Sequence, residues 1–293
     1  MALTYQSETG QIKQLLLKTA QNALTSQAAI DAQWQSLAYT SRVDFNAAVS
    51  EYHEFTALLE SFDIELFFAP ANTGTSLDSI YMRDSSIVCS KGIILCNMGK
   101  AERETEPEAC LPAYAEMQLP IIGAITGDGR VEGGDVAWLD ERTLAIAEGY
   151  RTNSEGINQL KTLLGDCIDE LVVAPSPHWN GPSDVFHLMS TLSPIDDDLC
   201  LVYSPLLSVP FRNRLLDLGK TLVEVPAEEF DSMGCNVLAV GPRQCVMLDG
   251  NLVTRARLEK AGAEVHVYKG EEISKKGCGG PTCLTRPTLR EIC

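Results

Sequence analysis

Residues 132–175, EGGDVAWLDERTLAIAEGYRTNSEGINQLKTLLGDCIDELVVAP, carry the pattern that decides the fold class. VAWLD and TLAIAEG are short apolar runs that meet across Glu141-Arg142, as in a hairpin. GINQLKTLLGD then spaces its apolar side chains as a helix does, and ELVVAP is strand-like again. The same succession recurs on both sides. Upstream, IELFFAP leads through the turn-rich NTGTSLDS to SSIVCS and GIILCN, a second hairpin around Lys91 and Gly92. Downstream come LCLVYSP, the helical FRNRLLDLG, TLVEVP, NVLAVG, QCVML, the helical LVTRARLEKAG and EVHVYK. Turns of Gly, Pro, Asn and Asp punctuate these elements. Alternating strands and helices predict an α/β fold, but no sequence repeat is legible that would give the topology.

Two segments read differently. Residues 10–60 read as helical, because QIKQLLLKTAQNAL is amphipathic and VDFNAAVSEYHEFTALLESF places apolar groups at three- and four-residue steps. AERETEPEACLP, residues 101–112, is polar and predicts a surface loop. No linker or charge block interrupts the chain, so one domain over 1–293 is expected.

Composition narrows the function. The 293 residues are 45% apolar and 22% charged, an ordinary globular balance with material for a large core. There is no apolar run of about 18 residues, as a spanning helix needs, and MALTYQSETG lacks a basic-then-apolar leader. A cytoplasmic protein is expected. The net charge of −17 disfavours nucleic acid and anionic membrane as partners and favours a cationic small molecule. Association into a homo-oligomer stays open. Ten cysteines, most in apolar runs such as SSIVCS and RQCVML, read as reduced core residues rather than a disulfide framework; Cys293 reads as an exposed terminal thiol.

Four polar clusters stand out: Asp78 to Asp84, running from a turn into a strand; Glu132-Gly133-Gly134-Asp135 followed by Tyr150-Arg151-Thr152-Asn153; His187 to Ser190; and CGGPTCLTRP, residues 278–287. Glycines beside a cysteine allow positive φ and close approach of a substrate to the thiol. A nucleophilic thiol needs a neighbour such as histidine, and a guanidinium needs carboxylates to be bound out of water. Cys283, a histidine and several acids together suit attack on a cationic carbon. Other readings remain: Cys278 and Cys283 as zinc ligands, although they lack the tight pair of a structural site; His187 as a core residue; Glu132-Gly-Gly as turn chemistry. His53, His178 and His266 read as structural or surface groups.

In this order the clusters resemble the guanidine-modifying enzymes, among them dimethylarginine dimethylaminohydrolases, arginine deiminases and amidinotransferases. The likeness runs from about Asp78 to Pro287 and is carried by EGGDVAWL, YRTNSEGINQL, HLMST, NVLAVGP and GGPTCLTRP. It is nearest the dimethylarginine dimethylaminohydrolases, whose paired aspartates are matched by Asp78 and Asp84 and whose arginines by Arg103 and Arg151. The resemblance implies a pentein fold, five ββαβ-like modules around a pseudo-fivefold axis. It implies Cys283 as the nucleophile on the guanidinium carbon, with His187 first protonating the leaving amine and then activating water against the S-alkylthiouronium intermediate. Glu132 would orient His187 and, with Asp78 and Asp84, bind the guanidinium. Arg103 and Arg151 would hold the substrate α-carboxylate, and no metal or organic cofactor would be needed. The expected activity is hydrolysis of N-ω-methylated arginine to citrulline, with arginine deiminase, dihydrolase or amidinotransferase chemistry, or a non-catalytic binding protein on the same fold, as alternatives. Two departures stand out: Met189 replaces the Asp of the His-x-Asp motif of deiminases and amidinotransferases, and Arg83 precedes Asp84 as it does in those two groups. Strand alternation would turn Arg83 away from Asp84 and make it a scaffold residue.

Overall fold

The chain begins with β1 (Ala2–Thr4) and β2 (Gln11–Leu17), runs through α1 (Ala20–Leu24), α2 (Gln27–Gln33) and α3 (Phe45–Glu60), and returns in β3 (Glu65–Phe68) parallel to β2. The computed structural model describes residues 2–182, 184 and 186–292, so Cys293 lies outside the described residues. Next come β4 (Ser86–Cys89), β5 (Gly92–Leu95), α4 (Glu106–Ala109), α5 (Leu111–Glu116) and β6 (Ile121–Ala124). The segment that opened the sequence reading forms β7 (Val136–Trp138), β8 (Thr143–Glu148), α6 (Ser154–Leu164) and β9 (Glu170–Pro175). Two further sets follow: β10 (Leu192–Asp196), β11 (Leu199–Val202), α7 (Val209–Asp217), β12 (Thr221–Glu224); and β13 (Leu238–Gly241), β14 (Gln244–Leu248), α8 (Leu252–Lys260), β15 (Glu264–Tyr268). The chain closes with α9 (Pro281–Leu284) and β16 (Arg286–Ile292).

One plan organises all of this. In four three-stranded sheets the first two strands pair antiparallel, and the third returns through a helix to lie parallel to the second. The remaining sheet, ordered β1-β16-β2-β3, has the same plan, with β16 as its first strand. The expected α/β class is observed, as five ββαβ units, one of them assembled from both ends of the chain. Among the described residues no helix is long and apolar enough to cross a membrane.

Three expectations about local structure are corrected. Gln11–Leu17 is a strand, not the start of a helix. It lies between β16 and β3, covered on both faces, with Leu16 in one apolar cluster and Leu15 and Leu17 in another; a strand buried on both faces shows a continuous apolar run instead of alternation. The helix starts only after Thr19, whose side chain caps the Asn22 N–H. Residues 101–112 are not an exposed loop but a crossover holding α4, in which Arg103, Glu106 and Cys110 are buried. The polar pattern hides this because Arg103 and Glu106 neutralise each other. Finally, Asp84 and Arg83 lie on a 3-10 turn, Met82–Ser85, rather than on a strand. The sequence pattern also offers no signal for β10, which contains Pro194; the strand sits at the edge of its sheet with a bulge after Pro194, where proline is tolerated.

The turns that enter the units place the polar clusters together. Short helical turns precede β4, β7, β10 and β16, at Met82–Ser85, Gly133–Asp135, Leu188–Ser190 and Pro281–Leu284. The last of these packs on the first, the first on the second, and the second on the third.

Candidate active site

Glu132 sits at the head of the turn that enters β7 and is wholly buried. Burying a carboxylate is costly unless it is fully paired. Its Oε1 accepts the backbone N–H groups of Gly99 (2.9 Å) and Lys100 (3.1 Å), and Arg151 Nη1 lies 3.2 Å from each oxygen. Its Oε2 meets His187 Nε2 at 2.7 Å. Burial would raise its pKa, but His187 and Arg151 outweigh that and hold the carboxyl well below the usual range.

His187 precedes the 3-10 turn into β10 and is the buried member of the four histidines. Burial favours the neutral ring, yet Asp84, Asp135 and Glu132 together overcome it and raise the imidazole to about 9. His187 therefore carries a proton at neutral pH. Its backbone is fixed as well: the His187 N–H donates to Ser190 Oγ (3.1 Å) and the Leu188 N–H to Asp135 Oδ1 (3.1 Å). Asp135 also accepts Thr152 Oγ1 at 2.7 Å, and burial lifts its own pKa to about 6. Gly134 makes the packing possible: a Cβ there would lie 2.7 Å from both Asp84 Oδ1 and His187 Nδ1. The Gly-Gly pair is thus more than turn chemistry.

Asp84 accepts the Gly134 N–H (2.8 Å) and Arg103 Nη1 (2.5 Å). Asp78 pairs with Lys100 Nζ at 2.6 Å. Arg103 has little left to offer: Nε and Nη2 bind Glu106 at 2.9 and 2.8 Å, and Nη2 also reaches the Tyr81 carbonyl. Glu106, raised by burial to about 7 in spite of Arg103, is its counter-ion. Each of the three carboxylates that the sequence comparison pairs with a substrate guanidinium already holds a cation of the chain. Arg83 is a buried scaffold group, 3.2 Å from the Glu8 carboxylate and turned to the Thr282 carbonyl.

Cys283 lies in α9, on a turn that packs against the turn of Asp84. Burial, and the negative charge of Asp84, push its thiol up to about 11, against the pull of Asn236. Asn236 Nδ2 donates to Sγ at 3.1 Å. The preceding glycines act by close packing and not by positive φ: Gly280 has φ −80°, and a Cβ on it would lie 2.5 Å from Asn236 Oδ1. The left-handed residue of this loop is Cys278, at φ +59°, with an exposed thiol. The other seven described cysteines are buried, as the apolar runs predict.

The group with metal-ligand spacing among the described residues is Asp84, Glu132 and His187, whose ligand atoms lie within 4.8 Å of one another; the two cysteines weighed as zinc ligands are not part of it. Its oxygens are committed to N–H donors, an arrangement suited to a planar polar cation. Sequence reading missed Asn236, Asp135, Glu106 and Lys100. NVLAVGP and the Gly-Gly-Asp motif pointed at the first two, while nothing in the polar run at 101–112 marks Glu106 as buried.

The model of the eukaryotic N,N dimethylarginine dimethylhydrolase family matches residues 19–290. The chain belongs to that family. Among curated relatives of this dimethylarginine dimethylhydrolase family member is the arginine deiminase of Listeria welshimeri, 24% identical over 254 residues and 72% of the chain; the match spans 61% of that enzyme, so the chain covers about three fifths of its length. Among solved structures, the dimethylarginine dimethylaminohydrolase of Pseudomonas aeruginosa, complexed with citrulline, superposes with a TM-score of 0.76 at 20% identity, covering 94% of this chain and 98% of that one. The N-terminal domain of a cyanobacterial arginine dihydrolase, bound to its product, gives 0.78 at 18% identity over 95% and 97%. At these identities the superpositions speak for the fold.

Proposed function

We propose that this protein hydrolyses the guanidine group of arginine derivatives, with N-ω-methylated arginine as the preferred substrate and citrulline plus methylamine or dimethylamine as products. The observation that carries the reading is the buried Glu132–His187 pair, 2.7 Å apart beside Asp84, in a family member whose Cys283 lies on the adjoining turn. The five units, closed by β16 on β2, support a propeller-like arrangement about a common axis and a single catalytic domain over 1–293. Free thiols at all described cysteines accord with a cytoplasmic setting.

In this reading the substrate guanidinium enters as a cation among Asp78, Asp84 and Glu132. It competes with Lys100, Arg103 and Arg151 for them. Arg151, released from Glu132, is then free to take the substrate α-carboxylate, so that one ion pair is exchanged for two. Arg103, with its nitrogens held by Glu106 and Asp84, reaches that carboxylate only by giving up such a bond. The arriving positive charge offsets Asp84 and favours the Cys283 thiolate. Sγ adds to the guanidinium carbon, and the tetrahedral adduct collapses as the C–N bond breaks and His187 gives its proton to the leaving amine. Water then adds to the S-alkylthiouronium carbon while His187 takes its proton. The C–S bond breaks as the adduct's remaining hydroxyl proton passes to solvent, the ureido oxygen stays on citrulline and the thiolate returns.

Met189 favours a substituted substrate. It packs in an apolar cluster with Leu188, Leu192 and Phe211, so the carboxylate that deiminases carry two residues after the histidine is replaced by a core side chain. The relationship to arginine deiminases keeps free arginine as the second reading. Release of the ureido product, citrulline from arginine, monomethylarginine and dimethylarginine and N-carbamoylputrescine from agmatine, tests both. Highest kcat/KM with a methylated arginine is expected; a preference for arginine would favour the deiminase reading. Silence on all four would leave a binding protein.

A further inference from the structure

Four of the five units bring a polar side chain to the site from just ahead of their first strand: Asp84 before β4, Glu132 before β7, His187 before β10 and Cys283 before β16. The remaining unit starts at β13, and the polar side chain in the corresponding place is Asn236, two residues ahead of Leu238. We propose that Asn236 is the fifth unit's contribution, a positioning residue that pins the Cys283 turn and donates an N–H to the reacting sulfur. The proposal rests on the reading of Cys283 as the nucleophile.

The geometry binds both halves of the carboxamide to one turn. Nδ2 lies 3.1 Å from Cys283 Sγ, and Oδ1 accepts the Thr282 N–H at 3.1 Å. Flipping the amide would set its NH2 against the Thr282 donor and its oxygen against the sulfur lone pairs, so the network itself selects the orientation. The side chain is buried, and the backbone N–H of Asn236 donates to the Met233 carbonyl at 3.0 Å, in a tight turn where Met233 has φ +59°. Gly280 leaves the room: its backbone packs directly on the amide.

A fixed neutral donor has a particular use here. The charged and titratable groups around Sγ are Asp84 and Arg83 on one turn, Tyr81 at its head, and Tyr268 on β15. A cation placed against the sulfur would stabilise the thiolate but repel a guanidinium. An amide N–H favours the thiolate over the thiol without adding charge, and it strengthens as negative charge gathers on sulfur. The same bond fixes the side chain for attack, which a burial requirement alone would not achieve.

Alkylation of Cys283 by iodoacetamide, followed by peptide mass spectrometry across pH 6–11 (a range of about five units around the ordinary thiol value), isolates this role without any guanidine substrate. Asn236→Asp keeps the oxygen that accepts Thr282 and replaces the donor by negative charge; Asn236→Ala removes both bonds. The aspartate variant should shift the Cys283 profile upward by about one unit, a rate about tenfold lower at any pH below it, with the exposed Cys278 alkylating as before. The alanine variant should shift it in the same direction. Profiles for Cys283 that coincide with the parent's in both variants would overturn the proposal, as would a shift mirrored at Cys278. If the parent alkylates at Cys283 but processes no guanidine compound, the functional reading fails alone and the shift remains measurable.

Discussion

The histidine side and the thiol side of the site meet the same acidic surroundings with opposite results. Around His187, Asp84, Asp135 and Glu132 outweigh burial and hold the proton on the ring to about pH 9. At Cys283 the charge of Asp84 adds to burial, and the thiol keeps its proton up to about 11. In the proposed reaction the acid would be ready before substrate arrives and the nucleophile would not. A field of carboxylates serves to bind a cation and charge an acid, and it opposes a thiolate until the cation is in place.

Removing the nucleophile should have the largest effect. Cys283→Ser is expected to lose roughly 10^4-fold or more in kcat, read as citrulline release, while still binding substrate; an unchanged rate would break the assignment. Glu132→Gln comes next. It takes away the partner that orients and charges His187, and a loss of roughly 10²–10³-fold is expected, with the alkaline limb of the pH–rate profile moving to lower pH.

Asp84→Asn separates the two sides most sharply. Loss of its charge should make free Cys283 alkylate several-fold faster, because the thiol pKa falls, yet turnover should drop by roughly ten- to a hundredfold as the acid and the guanidinium both lose a partner. If alkylation and turnover move together, the opposed action of one carboxylate on acid and nucleophile is wrong. Arg151→Met should raise KM for arginine derivatives by roughly ten- to a hundredfold, the worth of one charged hydrogen bond, with a much smaller effect on agmatine, which lacks the carboxylate.

The smallest effect concerns stability. A histidine whose folded pKa is raised stabilises the fold fully below its unfolded value of roughly 6.5, and this contribution disappears as pH rises through about 9. The thermal midpoint should therefore fall across that window in the parent, and His187→Asn should flatten that part of the curve. An identical slope in both would mean that the charge on His187 is not part of what holds the site together.

Much of this was readable in the chain. The hairpin–helix–strand succession at 136–175 is observed at the expected places, because its strands are short apolar runs bounded by turn residues and its apolar residues recur at helical spacing in α6. The segments FRNRLLDLG and LVTRARLEKAG, read as helical, form α7 and α8. Legibility failed where burial on both faces erased alternation, as in β2, and where opposite charges buried each other, as Arg103 and Glu106 do. Asn236 stood inside a segment whose family likeness was visible, but its bond to Cys283 spans 47 residues and has no local signal.

Taken alone, the amino-acid sequence determined that strands and helices alternate, that most cysteines are core hydrophobes, and that the chain carries a thiol, a histidine and a set of acids and arginines of the kinds that suit attack on a cationic carbon. These follow from local periodicity and side-chain chemistry. Only the tertiary structure decided that β16 completes the first unit, that Asp78, Asp84 and Glu132 each already hold a cation, that the glycines serve close packing, and that burial and Asp84 raise the thiol's pKa. Each of these depends on distances between residues far apart in the chain, and on how much water the fold removes from around them.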